Sequence, residues 1–315
     1  MGSRHYIAGD WGTSNLRVYL CEVSDNTLAR VIEVKSGLGI AAIAKLENTD
    51  FETEFFALAQ DWLAQYEIDA IVLSGMVGSN IGWFEAPYAS CPADAKSIRA
   101  GITQFSARGE DIHLVSGLKC NNPIGQFDVM RGEELQLLGW LLQHGDSTGQ
   151  RLFALPGTHN KWVLVEGGTI STFMTTFTGE LFGLLADHSV LVPPADRTTS
   201  VDWQSFDAAV SIAQHEQTHD IVQTLFSTRA RQIEGKLSLQ HAKDYLSGLI
   251  ITADVSSALK SFAQYGQFEE IVLIGETRLC EQYQRVLAQV SSCKVTHCLP
   301  TDIAAFGYQA IYQEL

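Results

Sequence analysis

The segment Asp10-Trp11-Gly12-Thr13-Ser14-Asn15-Leu16-Arg17 gathers a carboxylate, a glycine and small polar side chains at the end of an apolar run. A glycine there lets backbone N–H groups approach an anion closely, and Thr13, Ser14 and Asn15 add side-chain donors. Asp10, when ionised, only accepts, which suits it to hold Mg²⁺, often through water. The chemistry this equips is phosphate binding beside a metal ion, although the same spacing also makes a plain hairpin turn with an Asx-type bond. A second turn, Pro156-Gly157-Thr158-His159-Asn160-Lys161-Trp162, offers Gly157 and Thr158 to phosphate, with Lys161 or His159 adding charge. It too reads as an ordinary turn when taken alone. A third, Gly275-Glu276-Thr277, follows the apolar run Ile271–Ile274 and would let an adenosine lie against backbone; a helix N-cap at Thr277 is the simpler reading. The pattern G-x-x-x-x-G-K-[ST] is absent, which excludes a P-loop site.

Acid–base and acceptor-binding candidates lie elsewhere. Arg131-Gly132-Glu133-Glu134 opens a helical stretch, where acids are favoured by the helix dipole in any case. Transfer of a phosphoryl group to an alcohol needs a carboxylate to accept the hydroxyl proton. Glu133 and Glu134 are both candidates, one as base and the other as a metal or orienting partner. Arg131 and Arg17 suit a carboxylate or a phosphate, and Arg17 reads equally as a surface strand residue. The loop Gly75-Met76-Val77-Gly78-Ser79-Asn80 follows a buried strand, where α/β sheets bind ligands. Gly78, Ser79 and Asn80 suit a carboxylate and neighbouring hydroxyls, with Trp83 and Tyr88 as walls; Trp83 fits a core position equally. Thr178-Gly179-Glu180 stands at a strand-to-helix turn. The histidines, among them His159, His188, His215 and His219, have no metal-binding spacing.

The elements that must position these groups follow from the hydrophobic pattern. Strands are predicted over Tyr6–Asp10, Leu16–Val23, Ala29–Val34, Ala70–Ser74 and Ile112–Ser116, with helices over Phe51–Tyr66 and Glu133–Gln143. The opening pattern then recurs: a strand over Leu152–Leu155, a glycine turn, a strand over Lys161–Val165, and a Gly167-Gly168 hairpin into Thr169–Thr175. A largely helical region from Phe206 to Tyr265, a strand over Ile271–Ile274, a helix over Leu279–Val290 and a last strand and helix complete the chain. The class is α/β, each half a mixed sheet flanked by helices. A run of helix breakers around His144–Gly149 puts the boundary there, giving domains 1–146 and 147–315.

Composition sets the limits. At 315 residues, 46% hydrophobic and 18% charged, the chain can bury two cores. A net charge of −15 without basic clusters argues against nucleic acid as a partner. No apolar run reaches membrane-spanning length, and the N-terminus lacks a signal-peptide layout. Six scattered cysteines without a C-x-x-C pair read as reduced thiols of a cytoplasmic protein. The oligomeric state is left open, a homodimer included.

The three turns, in this order, resemble the phosphate-1, phosphate-2 and adenosine motifs of the actin/hexokinase/heat-shock ATPase superfamily. More specific blocks, over nearly the whole chain, resemble the 2-dehydro-3-deoxygalactonokinase family. They are Asp10–Arg17, Gly75-Met76-Val77-Gly78-Ser79-Asn80-Ile81-Gly82-Trp83, Ala86-Pro87-Tyr88, Val129-Met130-Arg131-Gly132-Glu133-Glu134, Pro156–Trp162, Thr178-Gly179-Glu180-Leu181 and Tyr245-Leu246-Ser247-Gly248-Leu249. The resemblance implies an actin-like (ribonuclease H-like) fold of two domains with a cleft between them. It implies ATP- and Mg²⁺-dependent phosphorylation of the 6-hydroxyl of a 2-dehydro-3-deoxy-galactonate, releasing ADP, in galactonate catabolism. In the wider superfamily many members carry an Asp where Pro156 stands, so metal binding here rests more heavily on Asp10. Three other readings fit the same turns: a kinase for another sugar or keto-sugar acid, a hydrolase in which Glu133 or Glu134 activates water, and a nucleotide-driven switch.

Overall fold

The computed structural model describes residues 3–24, 27–46, 49–145, 149–194, 200–214 and 221–315. The boundary expected at 146/147, and His215 and His219, lie outside them. The chain packs as two compact units, Met1–Gly149 with Val165–Phe173 and Leu299–Leu315, and Gln150–Leu164 with Met174–Cys298.

The first unit opens with β1 (Arg4–Trp11), β2 (Asn15–Val23), β3 (Arg30–Leu38), the short α1 (Ile40–Ile43) and α2 (Phe51–Gln65). β4 (Ile68–Gly75) leads through a tight turn at Met76–Gly78 to β5 (Tyr88–Ser90), α3 (Ala95–Ala100), β6 (Thr103–Ala107), β7 (Glu110–Leu114), β8 (Gly117–Asn121), β9 (Phe127–Met130) and α4 (Glu133–His144). The main sheet has the order β3-β2-β1-β4-β7-β6. β1 runs antiparallel to β2 and parallel to β4, which places Asp10 opposite Arg17 on one side and Ser74 on the other. A smaller sheet, β5-β8-β9, completes the unit.

The helices form for identifiable reasons. Asp50 caps α2 by accepting from the Thr53 N–H at 2.7 Å, and Glu52 and Glu54 favour its first turn. Its buried face, Phe55, Phe56, Ala59 and Trp62, packs with Trp11, Ile7 and Leu73 in the core. Each large side chain so buried contributes about 1.5–3 kcal/mol.

The later part of the chain repeats the plan. β10 (Gln150–Leu155), β11 (Asn160–Glu166) and β12 (Thr169–Thr176) precede α5 (Thr178–His188), α6 (Trp203–Ala213), α7 (Ile221–Leu225), α8 (Ser227–Ile233) and α9 (Ala242–Phe262). Then come β13 (Glu270–Ile274), α10 (Thr277–Val290) and β14 (Lys294–Cys298). The sheet order is β12-β11-β10-β13-β14, with β13 parallel to β10 and β14. The first strand of each half thus takes the same place between its own hairpin partner and the next parallel strand, a repeat in sheet order to match the predicted repeat in element order. The fold is of the expected mixed α/β class, with helices alternating with the sheet strands.

α11 (Pro300–Tyr312), the last helix, packs in the first unit along α4. The two cross at glycines: a Cβ on Gly139 would strike the Ile303 carbonyl, and one on Gly307 the Leu135 carbonyl. Tyr6 and Tyr312 fasten α11 to the sheet, donating to the Ala305 carbonyl at 3.0 Å and to Asp69 at 2.6 Å.

Candidate active site

In the first unit, β1 and β2 bring Asp10 and Arg17 side by side, and the turn between them leaves Thr13, Ser14 and Asn15 exposed. The turn is braced from behind. Gly12 N–H donates to the Asn15 carbonyl at 2.9 Å, Ile40 N–H to the Gly12 carbonyl at 3.1 Å and Ala41 N–H to the Thr13 carbonyl at 3.0 Å. Asp10 borders a cavity of about 30 Å³, room for one water, with Arg17, Tyr19, Ser74, Gly132 and Tyr308. Ser74 Oγ and the Tyr308 hydroxyl share a hydrogen bond at 2.6 Å. Asp10 keeps a face open to solvent, yet protein surrounds its carboxyl group. That desolvation raises its pKa; Arg17 opposes the rise and the charge of Glu133 adds to it.

Glu133 and Glu134 begin α4, and the structure separates them. Gly132 stands at the N-cap with φ +109°, a conformation open to glycine, and this turns the chain sharply into the helix. Glu133 is half-buried, and its carboxylate accepts from the Arg131 N–H at 3.1 Å. Glu134 is fully buried at 0% exposure and folds back to accept from the Gly132 N–H at 2.7 and 2.9 Å. Burial, reinforced by the charge of Glu133, pushes its pKa up to about 8.

The Arg131 side chain makes contacts of its own. Its guanidinium lies 4.3 Å from the centre of the Tyr88 ring, and Nη2 donates to the Ala86 carbonyl at 2.7 Å. Gly78 lies against it, for a Cβ there would come within 2.7 Å of Nη1. Nε and Nη1 are buried without a hydrogen-bond partner, so this cation has donors to spare. The rest of the loop is divided. Ser79 Oγ donates to the Met76 carbonyl at 2.7 Å, Asn80 is exposed, and Trp83 packs on Trp11, Phe55 and Phe105. Arg131, Gly78 and Tyr88 are therefore together, Trp83 lies with the core, and Arg17 is with Asp10.

In the second unit, a cavity of about 520 Å³ is bordered by Gly157, Thr158, Thr178, Gly179, Ser247, Arg278, Gln282 and Tyr283. This volume is typical of a small-molecule site. The turn and the start of α5 touch backbone to backbone: Glu180 N–H donates to the Thr158 carbonyl at 2.9 Å, and a Cβ on Gly179 would strike the Gly157 carbonyl. Lys161 is buried, its Nζ donating to the His159 carbonyl at 3.2 Å within the same turn. His159 pairs with Glu180 at 2.6 Å and stacks on Phe177.

Gly275 abuts Pro156, joining the third turn to the second, and Glu276 rather than Thr277 caps α10 by accepting from the Leu279 N–H at 3.1 Å. The cavity wall begins one residue later, at Arg278, and continues along α10 and α9. Ser247, Asp244, Gln282 and Tyr283 of that wall are not among the residues singled out from the sequence as nucleotide contacts. A polar Ser247 within the apolar run of α9 was the available signal.

A family model described as 2-keto-3-deoxy-galactonokinase matches residues 10–310. The chain belongs to this family. It is 34% identical over 294 residues to the 2-dehydro-3-deoxygalactonokinase of Escherichia coli K12, covering 92% of this chain and 91% of that one. A solved Sinorhizobium meliloti structure, provisionally described as a 2-dehydro-3-deoxygalactonokinase, superposes with a TM-score of 0.84 at 30% identity over 98% of both chains. The activator of the 2-hydroxyisocaproyl-CoA dehydratase from Clostridium difficile, solved with ADPNP, matches 98% of this chain and 95% of its own. Its TM-score of 0.50 at 12% identity bears on the fold alone. As a member of the 2-keto-3-deoxy-galactonokinase family the chain is a kinase, and the matched span takes in Asp10, Arg131, Glu133 and the residues that border both cavities.

No group of three or more His, Cys, Asp or Glu side chains is arranged to hold a metal ion among the described residues. Asp10 does fit a hydrated ion that keeps most of its water: burial and the charge of Glu133 disfavour its ionised form, and a cation there would offset that cost.

Proposed function

We propose that this sugar-acid kinase transfers the γ-phosphoryl group of ATP to the 6-hydroxyl of 2-dehydro-3-deoxy-D-galactonate. The observation that carries the acceptor class is Arg131: a guanidinium fixed over Tyr88 and against Gly78, with buried donors lacking partners, suits the carboxylate of a sugar acid. Gly78, Ser79 and Asn80 complete the acceptor site, and Trp83 supports it from the core.

Glu133 is the proposed base. It is accessible where Glu134 is not, and it lies close enough to Asp10 for their charges to interact. The acceptor oxygen bonds to the γ-phosphorus as the bond from that phosphorus to the β–γ bridging oxygen breaks. The hydroxyl proton passes to Glu133, and ADP departs. Glu134, largely protonated near neutrality and bonded to Gly132, orients the start of α4. Asp10 would hold Mg²⁺, which when bound neutralises charge on the phosphates. Arg17 steadies Asp10, and the Gly12–Asn15 turn presents donors to phosphate.

The cavity of the second unit is the proposed nucleotide site. Gly157 and Thr158 face the phosphates, Lys161 holds their turn from beneath, and Gly275, Glu276 and Thr277, just ahead of the wall residue Arg278, are assigned to the adenosine side. Free thiols and a nucleotide substrate are consistent with a cytoplasmic enzyme. Among the described residues no helix is long and apolar enough to cross a membrane. Phosphorus NMR of the product tests the reaction: a phosphate monoester at C6 is expected, and a phosphate on any other oxygen, or free phosphate alone, would overturn it.

A further inference from the structure

Asp254 lies mid-way along α9, only 6% exposed, and the groups bonded to it are neutral. Asn160 Nδ2 donates to Oδ2 at 2.7 Å, the Tyr283 hydroxyl donates to the same oxygen at 2.5 Å, and Trp162 Nε1 donates to Oδ1 at 3.0 Å. Asn160 Nδ2 also reaches the Tyr283 hydroxyl at 3.1 Å. A buried carboxylate without a cation is costly, and an apolar residue would suit the middle of so buried a helix better. The donors indicate what the charge achieves. Asn160 closes the Pro156–Asn160 turn and begins β11, whereas Tyr283 belongs to α10 and lines the cavity that Gly157 and Thr158 also border.

We infer that Asp254 is a positioning residue for the nucleotide: from α9 it locks the phosphate-side turn and α10 at a fixed spacing on either side of the cavity. Charge-assisted bonds to one carboxylate hold both parts more firmly than neutral contacts could. Tyr283, bonded at its hydroxyl, is kept with its ring against the cavity. Asn160 Oδ1 is buried without a partner, so its amide is oriented by these bonds to Asp254 and Tyr283 alone. The inference rests on the reading of this cavity as the nucleotide site.

The test compares wild type, Asp254→Asn and Tyr283→Phe by calorimetric titration with Mg²⁺-ATP and by steady-state KM for each substrate. Asp254→Asn puts an amide donor among three donors and is expected to weaken ATP about tenfold or more. The KM for the sugar acid should stay within about twofold, since the acceptor residues lie in the other unit. Tyr283→Phe keeps the ring and should shift ATP in the same direction by less. Unchanged ATP affinity in folded Asp254→Asn, or an equal rise in both KM values, would overturn the inference. If Asp254→Asn does not fold, unchanged ATP affinity in Tyr283→Phe overturns it. A wild type that does not bind ATP would instead fail the reading of the cavity.

Discussion

The two halves begin with the same strand order and put it to different uses. In the first, the turn after β1 is crowded by ionisable groups: Asp10 and Arg17 border a cavity of about 30 Å³, the charges of Arg17 and Glu133 act on Asp10 in opposite senses, and Glu134 is buried. In the second, the matching turn after β10 borders a cavity of about 520 Å³, and Asp254, which does not line it, spends its carboxylate on hydrogen bonds with neutral donors. One turn concentrates charge where a reaction would need it, and the other surrounds space where a ligand would need it. A repeated backbone plan therefore fixes where a site stands, and the side chains on neighbouring helices decide what it does.

This contrast is broken most severely at Glu133. Glu133→Gln should lower kcat by about 10²-fold or more while leaving both KM values near wild type. A variant within threefold of wild type would remove Glu133 from the chemistry. Arg131→Ala should raise the KM of the acceptor by about 10- to 100-fold and leave that of ATP unchanged, because a charged hydrogen-bond partner is lost on one side only. Equal effects on both substrates would argue against Arg131 as the carboxylate reader.

A third change probes the scaffold. Gly307→Val places a branched side chain against the Leu135 carbonyl at the α4–α11 crossing and should cost about 1–3 kcal/mol. Thermal unfolding would register this as a lower Tm, and an unchanged Tm would show that the crossing adapts. The smallest effect is expected at Glu134. Its pKa rises from the ordinary 4.5 to about 8 in the folded chain. Between those values the folded state binds more protons than the unfolded state, so this residue's contribution to stability falls as pH rises and levels off above about 8. Glu134→Gln should lose less Tm than wild type between pH 5 and 8 and keep most of its activity. Parallel Tm profiles would contradict the buried, protonated assignment.

The strands at the sheet centres were legible because continuous apolar runs bounded by glycine turns leave few alternatives, as at Ala70–Ser74 and Ile271–Ile274. Helix α4 was legible from its apolar repeat. The sheet β5-β8-β9 was not, since Tyr88–Ser90 and Phe127–Met130 are short and mostly outside the core. Nor could the sequence place α11 against α4, a contact of glycines far apart in the chain. Around the candidate site, the motifs fall on turns between elements, as read from the sequence. Choosing between Glu133 and Glu134 required burial, which adjacent residues on a helix do not reveal. The cavity wall on α9 escaped because that helix is buried on nearly all sides, so no contrast of apolar and polar faces marks the side that carries Asp244 and Ser247.

The most direct measurement is ADP release by the wild-type enzyme, with Mg²⁺-ATP, across a panel of 2-keto-3-deoxy sugar acids and neutral sugars. The account predicts ADP release that depends on the acceptor and is confined to the sugar acids, with 2-dehydro-3-deoxy-D-galactonate the best. ADP release at the same rate with every acceptor, or with none, would contradict it.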